Sequence, residues 1–158
     1  MNDLSQDKQD KQDRETRLLE LLEKEIGYFG QIRELTQQQA KLLEEDEAES
    51  LDASLDSRWK LIEEINGLHQ ESDVLMQSYV SFAYSGDGHT VESIERAVTR
   101  RQELIAECVA LNERNTTAAK EKAESYIRRI GKLSMSRKSL EVYIPDLPNT
   151  PELIDRKT

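Results

Sequence analysis

What this chain has little of narrows the field before any motif is sought. A single cysteine, Cys108, cannot close an internal disulfide, and that points to a reducing compartment. Only 6 glycines and 3 prolines are spread over 158 residues, of which 34% are charged, the profile of long solvated helices rather than of a compact α/β enzyme. No stretch approaches the roughly 20 consecutive apolar residues that span a bilayer. The opening "MNDLSQDKQDKQDRET" also lacks the apolar core of a secretory signal, so a cytoplasmic protein without stable membrane insertion is expected. A formal net charge of -10 argues against nonspecific attraction to phosphate backbones, and no nucleic-acid partner is expected.

The chemistry of catalysis is missing as well. There is no glycine-rich phosphate loop, no cysteine pair and no GxSxG elbow. His69 and His89 have no partner at metal-ligand spacing, and neither follows a glutamate by three positions as a di-iron bundle would require. The acidic run "EEDEAE", Glu44 to Glu49, lacks the alternating ligands and central glycine of a calcium loop and reads as a solvated helix end. No catalytic residue, metal or cofactor is assigned, and a non-enzymatic protein is expected. Cys108 falls on an apolar stripe with no histidine near it in sequence, so it reads as a small core residue.

What is present is helix. The repeat "DKQDKQD" has no apolar residue and predicts a disordered leader over 1–13. From there Leu18, Leu19, Leu22, Ile26, Phe29, Ile32, Leu35, Leu42 and Leu43 recur at steps of three and four, the spacing of one helical face. "DEAE" then offers a stop and restart, with Asp46 as the cap of a second helix and Glu49 reaching back to it. A second stripe follows through Leu51, Leu55, Trp59, Ile62, Ile65, Leu68, Leu75, Met76, Tyr79 and Phe82. Folding back at Asp46 opposes residues whose numbers sum to 94, which pairs Leu35 with Trp59, Ile32 with Ile62, Leu19 with Leu75 and Leu18 with Met76. Gln39 opposite Leu55 and Leu22 opposite Ser72 are the breaks in this apolar match.

The turn "SGDGHT", with Thr90 as cap, starts a third helix carrying Ile94, Val98, Ile105, Cys108, Leu111, Ala119, Tyr126, Ile130 and Leu133. Its partners on the second helix sum to about 176, which sets Leu68 beside Cys108. The fold class is therefore all-α: a long antiparallel hairpin plus a third long helix, with helices over about 14–45, 47–84 and 90–133 forming a three-helix bundle over 14–133. Gly27 and Gly67 also sum to 94, a pairing that either permits close helix approach or leaves two surface glycines. Beside them "EIGYFG" presents Tyr28 on the flank, a place for a bound partner to lie.

By this register the third helix outruns the hairpin near Ile130, yet its stripe continues through Leu133, Leu140, Tyr143 and Ile144. The charge changes there too. Between Tyr126 and Leu140 stand five basic residues (Arg128, Arg129, Lys132, Arg137, Lys138) and no acid. Residues 134–158 thus read as a mobile amphipathic arm, which either folds back on the bundle or receives a partner, followed by a tail broken by Pro145, Pro148 and Pro151. Partner contact is expected at Tyr126, Ile130, Leu133, Leu140, Tyr143 and Ile144, with Tyr28 on the hairpin flank.

The stretch "LLELLEKEIGYFGQIRELTQQQAKLLEEDEAESLDASLDSRWKLIEEINGLHQE" resembles the flagellar export chaperones of the FlgN type. The resemblance lies in a Leu-rich start, the "LT..Q...L" segment at Leu35, Thr36, Gln39 and Leu42, Asp46 opening the next helix, and Lys60 before Leu61, Ile62 and Ile65. The ending is similar too, with Tyr143 before a proline-containing tail that closes on Ile154, Asp155 and Arg156, where the pattern has lysine in the last place. FliT-like and other type III export chaperones share this helical logic. The resemblance implies a cytoplasmic carrier that binds C-terminal helical segments of the hook-filament junction proteins, prevents their premature assembly and hands them to the flagellar export gate. Read from the stripes alone, the alternative is a structural or regulatory coiled coil that self-associates, as a weak homodimer or more, and carries no client.

Overall fold

The computed structural model describes the backbone of residues 3–82 and 88–143 and the side chains of 3–79 and 91–134. Three helices make up the fold: α1 (Asp3–Glu44), α2 (Ala48–Phe82) and α3 (Gly88–Tyr143). The protein is an all-α three-helix bundle, as the periodicity predicts, with no strand among the described residues. The chain divides into two compact units, residues 1–117 and 118–158. The first holds α1, α2 and the opening part of α3; the second holds the rest of α3.

The expected disordered leader is helical: α1 starts at Asp3 rather than after Asp13. A helix already nucleated by packing at Leu18 can extend toward its N-terminus without a new nucleation cost. Side chains one turn apart support it, with the Gln9 amide donating to Asp13 Oδ1 at 3.1 Å and Lys11 Nζ 4.0 Å from Glu15. Low apolar content ruled out a core there, but not a helix. At the other end, α3 continues through Gly131 to Tyr143, so the helix expected to stop at 133 includes part of the predicted arm.

Asp46 lies one residue before the one whose carbonyl opens α2. It sits in the left-handed region at φ 58°, and Glu47 N–H donates to Leu42 C=O at 3.1 Å across the end of α1. This six-to-one bond around a left-handed residue is the Schellman closure of a helix C-terminus. Asp tolerates the conformation better than most side chains, although glycine fits it best. The carbonyl that opens α2 belongs to Glu47, which accepts from Leu51 N–H at 2.9 Å. Thr90 likewise lies inside the first turn of α3 rather than before it.

The best-covered layer of the first unit joins all three helices. Leu18, Leu22, Ile94 and Ala97 are buried together, with Leu19, Ile26, Leu75, Met76, Tyr79 and Val98 packed around them. The predicted pairs Leu19 with Leu75 and Leu18 with Met76 both fall in this cluster. Leu21 and Leu104 are also buried, though neither belongs to the predicted stripes, and Ile105 is exposed in place of Leu104. Each such side chain contributes roughly 1.5 to 3 kcal/mol before entropy is subtracted.

Trp59 leaves the seam it was assigned. It is 61% exposed, its indole N–H donating to Glu63 Oε1 at 3.1 Å along its own helix. Arg58 takes the inward direction instead, reaching Gln39 Oε1 at 3.1 Å and Asn112 Oδ1 at 2.8 Å. This contact also corrects the register of α3, since 58 and 112 sum to 170 rather than 176. Polar pairs between α1 and α3 agree: Glu25 with Arg101 and Phe29 with Cys108 differ by 76 and 79, where the predicted registers imply 82. Folding back about a turn centre fixes direction but not axial offset, which the polar contacts between the helices select. Gly27 and Gly67 take part in no close approach, because a Cβ built on either meets nothing within 4 Å.

Candidate partner-binding site

Inside the first unit, the breaks in the apolar pattern turn out to be hydrogen-bonded layers. Glu25 is 1% exposed, yet its carboxylate lies 2.8 Å from the Ser72 hydroxyl and accepts from Arg101 Nη1 at 2.6 Å. One buried carboxylate therefore ties α1 to both α2 and α3. Arg101 Nε is buried without an acceptor among the described residues, so this layer is not fully satisfied. A second layer surrounds Gln39, whose amide donates to Ser54 Oγ at 3.1 Å while its Oε1 accepts from Arg58. Asn115 donates to the Thr36 carbonyl at 2.8 Å in the same region, where the third stripe is weakest.

Cys108 Sγ lies 3.5 Å from the Phe29 carbonyl, and burial pushes its thiol pKa up, against the nearby Arg33 cation. That is the environment of an unreactive, half-buried residue. Tyr79 is pushed up for the same leading reason, burial, with Glu95 and Glu15 adding to it. Arg17 makes a two-point contact with Glu71, Nε to Oε1 at 2.8 Å and Nη2 to Oε2 at 3.0 Å, and these hydrogen bonds hold the Glu71 carboxyl below its ordinary range.

In the second unit the large apolar side chains of α3 among the described residues face solvent. Tyr126 is 41% exposed, Ile127 68%, Ile130 55% and Leu133 70%. These four share one helical face, since steps of one, four and seven from Tyr126 stay within about a third of a turn. Arg129 lies over the Tyr126 ring at 5.9 Å from its centroid, which places a cation on the rim of this patch. A contiguous face of aromatic and branched aliphatic groups with a basic edge is suited to receiving an apolar helix.

Of the residues predicted to contact a partner, Tyr126, Ile130 and Leu133 thus come together on one exposed face. The backbones of Leu140 and Tyr143 continue the same helix, but their side chains, and all of Ile144, lie outside the described residues. Tyr28 is half-buried in the first unit and does not belong to that face. Ile127 was missed. It stands one residue after a stripe position, where a strict three-and-four reading assigns solvent.

Among the described residues no group of three or more His, Cys, Asp or Glu side chains could hold a metal ion, and no helix is long and apolar enough to cross a membrane. Fold and face together define a helical bundle that carries an uncovered apolar helix surface. The chain matches no family model, no curated protein and no solved structure.

Proposed function

We propose that this protein is a cytoplasmic, non-enzymatic carrier of the flagellar type III export chaperone kind. In this reading it binds C-terminal helical segments of hook-filament junction proteins, keeps them from assembling early, and delivers them to the export gate. The observation that carries the proposal is the exposed face of Tyr126, Ile127, Ile130 and Leu133 on α3. The resemblance to FlgN-type chaperones supplies the client class. Capture is helix against helix: the client lays its apolar side on this face and removes it from water. Each large side chain so covered favours binding by area burial, offset by the ordering of the client segment.

Titration calorimetry of the full chain with C-terminal segments of junction proteins tests the reading. Saturable one-to-one binding, lost in an Ile127→Asp/Ile130→Asp variant that keeps its helicity, is the expected result. Absence of binding to every such segment, together with concentration-dependent self-association through the same residues, would replace the carrier with the self-associating coiled coil.

A further inference from the structure

The spacing on α3 describes more than an apolar patch. Ala119, Tyr126 and Leu133 recur every seven residues, with Ala123 and Ile130 falling four after the first two. That alternation of fours and threes is the seam of a coiled coil. Lys122 and Arg129, also seven apart, occupy the position flanking this seam on one side, where interhelical ion pairs select partner and orientation. On the other side of the seam the equivalent positions hold Lys120, Ile127 and Ser134, which offer one further basic charge beside Ala119. Both flanks are therefore basic, the side of Lys122 and Arg129 more fully than the other.

We infer that this face is one half of a heterotypic coiled coil whose partner is an amphipathic helix with carboxylates along the edge that meets Lys122 and Arg129. The inference rests on the proposed function only in taking the face as the place where a helix docks. Charge selects among occupants. Two copies of this chain laid face to face would set five basic residues between Tyr126 and Leu140 against five more, with no acid in the segment to relieve them. An anionic membrane suits the basic edge but not the molecule, whose formal net charge is -10. An acid-edged helix suits both the narrow seam and its basic flanks.

The test uses the full chain and two synthetic helical peptides of about three heptads, identical in their Leu and Ile seam, one with Glu and one with Lys at every flanking position. Binding is followed by fluorescence anisotropy at low salt and at about 0.5 M salt, where screening shrinks surface ion pairing. The Glu peptide is expected to bind on the order of 10-fold tighter at low salt, with the gap narrowing at high salt. A Lys122→Glu/Arg129→Glu variant is expected to invert the preference, and Ile130→Asp to abolish binding of both peptides. Equal or tighter binding of the Lys peptide, a Glu preference that survives the double charge reversal, or binding to anionic phosphatidylserine vesicles but to neither peptide would overturn the inference. If junction-protein segments bind through Ile130 without any charge preference, the charge rule fails while the carrier reading stands. If the Glu peptide binds there and no junction segment does, the carrier reading fails and the docking rule stands.

Discussion

Ile94, Ala97 and Leu104 lie on the same helix as Tyr126, Ile130 and Leu133, recur at similar spacings, and end in opposite environments. The first three are at most 8% exposed; the last three are 41% to 70% exposed. In the first unit α1 and α2 supply the other walls of a core, with Leu18, Leu22 and Met76 packed against Ile94 and its neighbours. In the second unit the described large apolar side chains of α3 stand in water. Helical periodicity thus identifies a face, while its burial depends on which other helix is there to cover it. A buried face reports on stability and an uncovered one on binding, and the predictions below press on that distinction.

The largest effect is expected at the polar layer that joins the three helices. Arg101→Ala leaves the Glu25 carboxylate buried with Ser72 as its remaining partner, and should cost about 3 to 5 kcal/mol in denaturant unfolding. Replacing both partners, Glu25→Leu with Arg101→Met, should recover most of that loss, because the uncompensated charge goes with its partner. A double change as damaging as the single one would show that the layer holds the helices by more than charge pairing.

The comparison itself breaks or survives on a matched pair of isoleucines. Ile94→Ala should cost about 2 to 5 kcal/mol, as large-to-small changes in a packed core do, while Ile130→Ala should stay within about 0.5 kcal/mol. Equal losses in thermal melts of the two variants would mean that the α3 face around Ile130 is covered in solution.

Smaller gains are expected where the backbone, rather than packing, is the constraint. Gly27→Ala and Gly67→Ala should each stabilise by about 0.5 to 1 kcal/mol, since the added methyl meets open space in a helix interior. Asp46→Gly should shift the melting temperature only slightly, because relief of the left-handed residue is set against the loss of the aspartate's own contacts and the extra freedom glycine gives the unfolded chain. A fall in stability at Gly67→Ala would mean that something passes closely over that surface.

The smallest effect is one of pH. Glu71 has a folded pKa below its unfolded value because Arg17 hydrogen-bonds the charged form. Its contribution is therefore present above the ordinary carboxylate range and lost as the pH falls through the lowered folded value. In melts run through acid, Glu71→Gln should remove a shallow part of the pH dependence and leave the neutral-pH midpoint nearly unchanged, because the pair is exposed.

Much of this architecture was legible in the sequence, because leucines at three-and-four spacing can be buried on a common face in few other ways. The all-α class, the hairpin near Asp46 and the Leu18 to Met76 pairing all followed from that. What the pattern could not supply was axial offset. Arg58 rather than Trp59 turns inward because Gln39 and Asn112 offer it partners, a choice made by polar contacts that a hydrophobic stripe does not encode. The helical leader was missed because low apolar content argues against a core, and helix extension needs none. For the site, Tyr126, Ile130 and Leu133 were readable as a continuing stripe, while Ile127 at its edge and the half-burial of Tyr28 depended on neighbouring packing.

The most direct test of the account follows amide hydrogen exchange along α3 in the full chain, with and without a saturating C-terminal segment of a junction protein. The account predicts new protection over residues 119–134, where helix docking covers the exposed face, and little change over 94–104, which the bundle already protects. Protection appearing only over 94–104, or along the α1 and α2 hairpin with 119–134 unchanged, would contradict the claim that the uncovered stripe is the binding face.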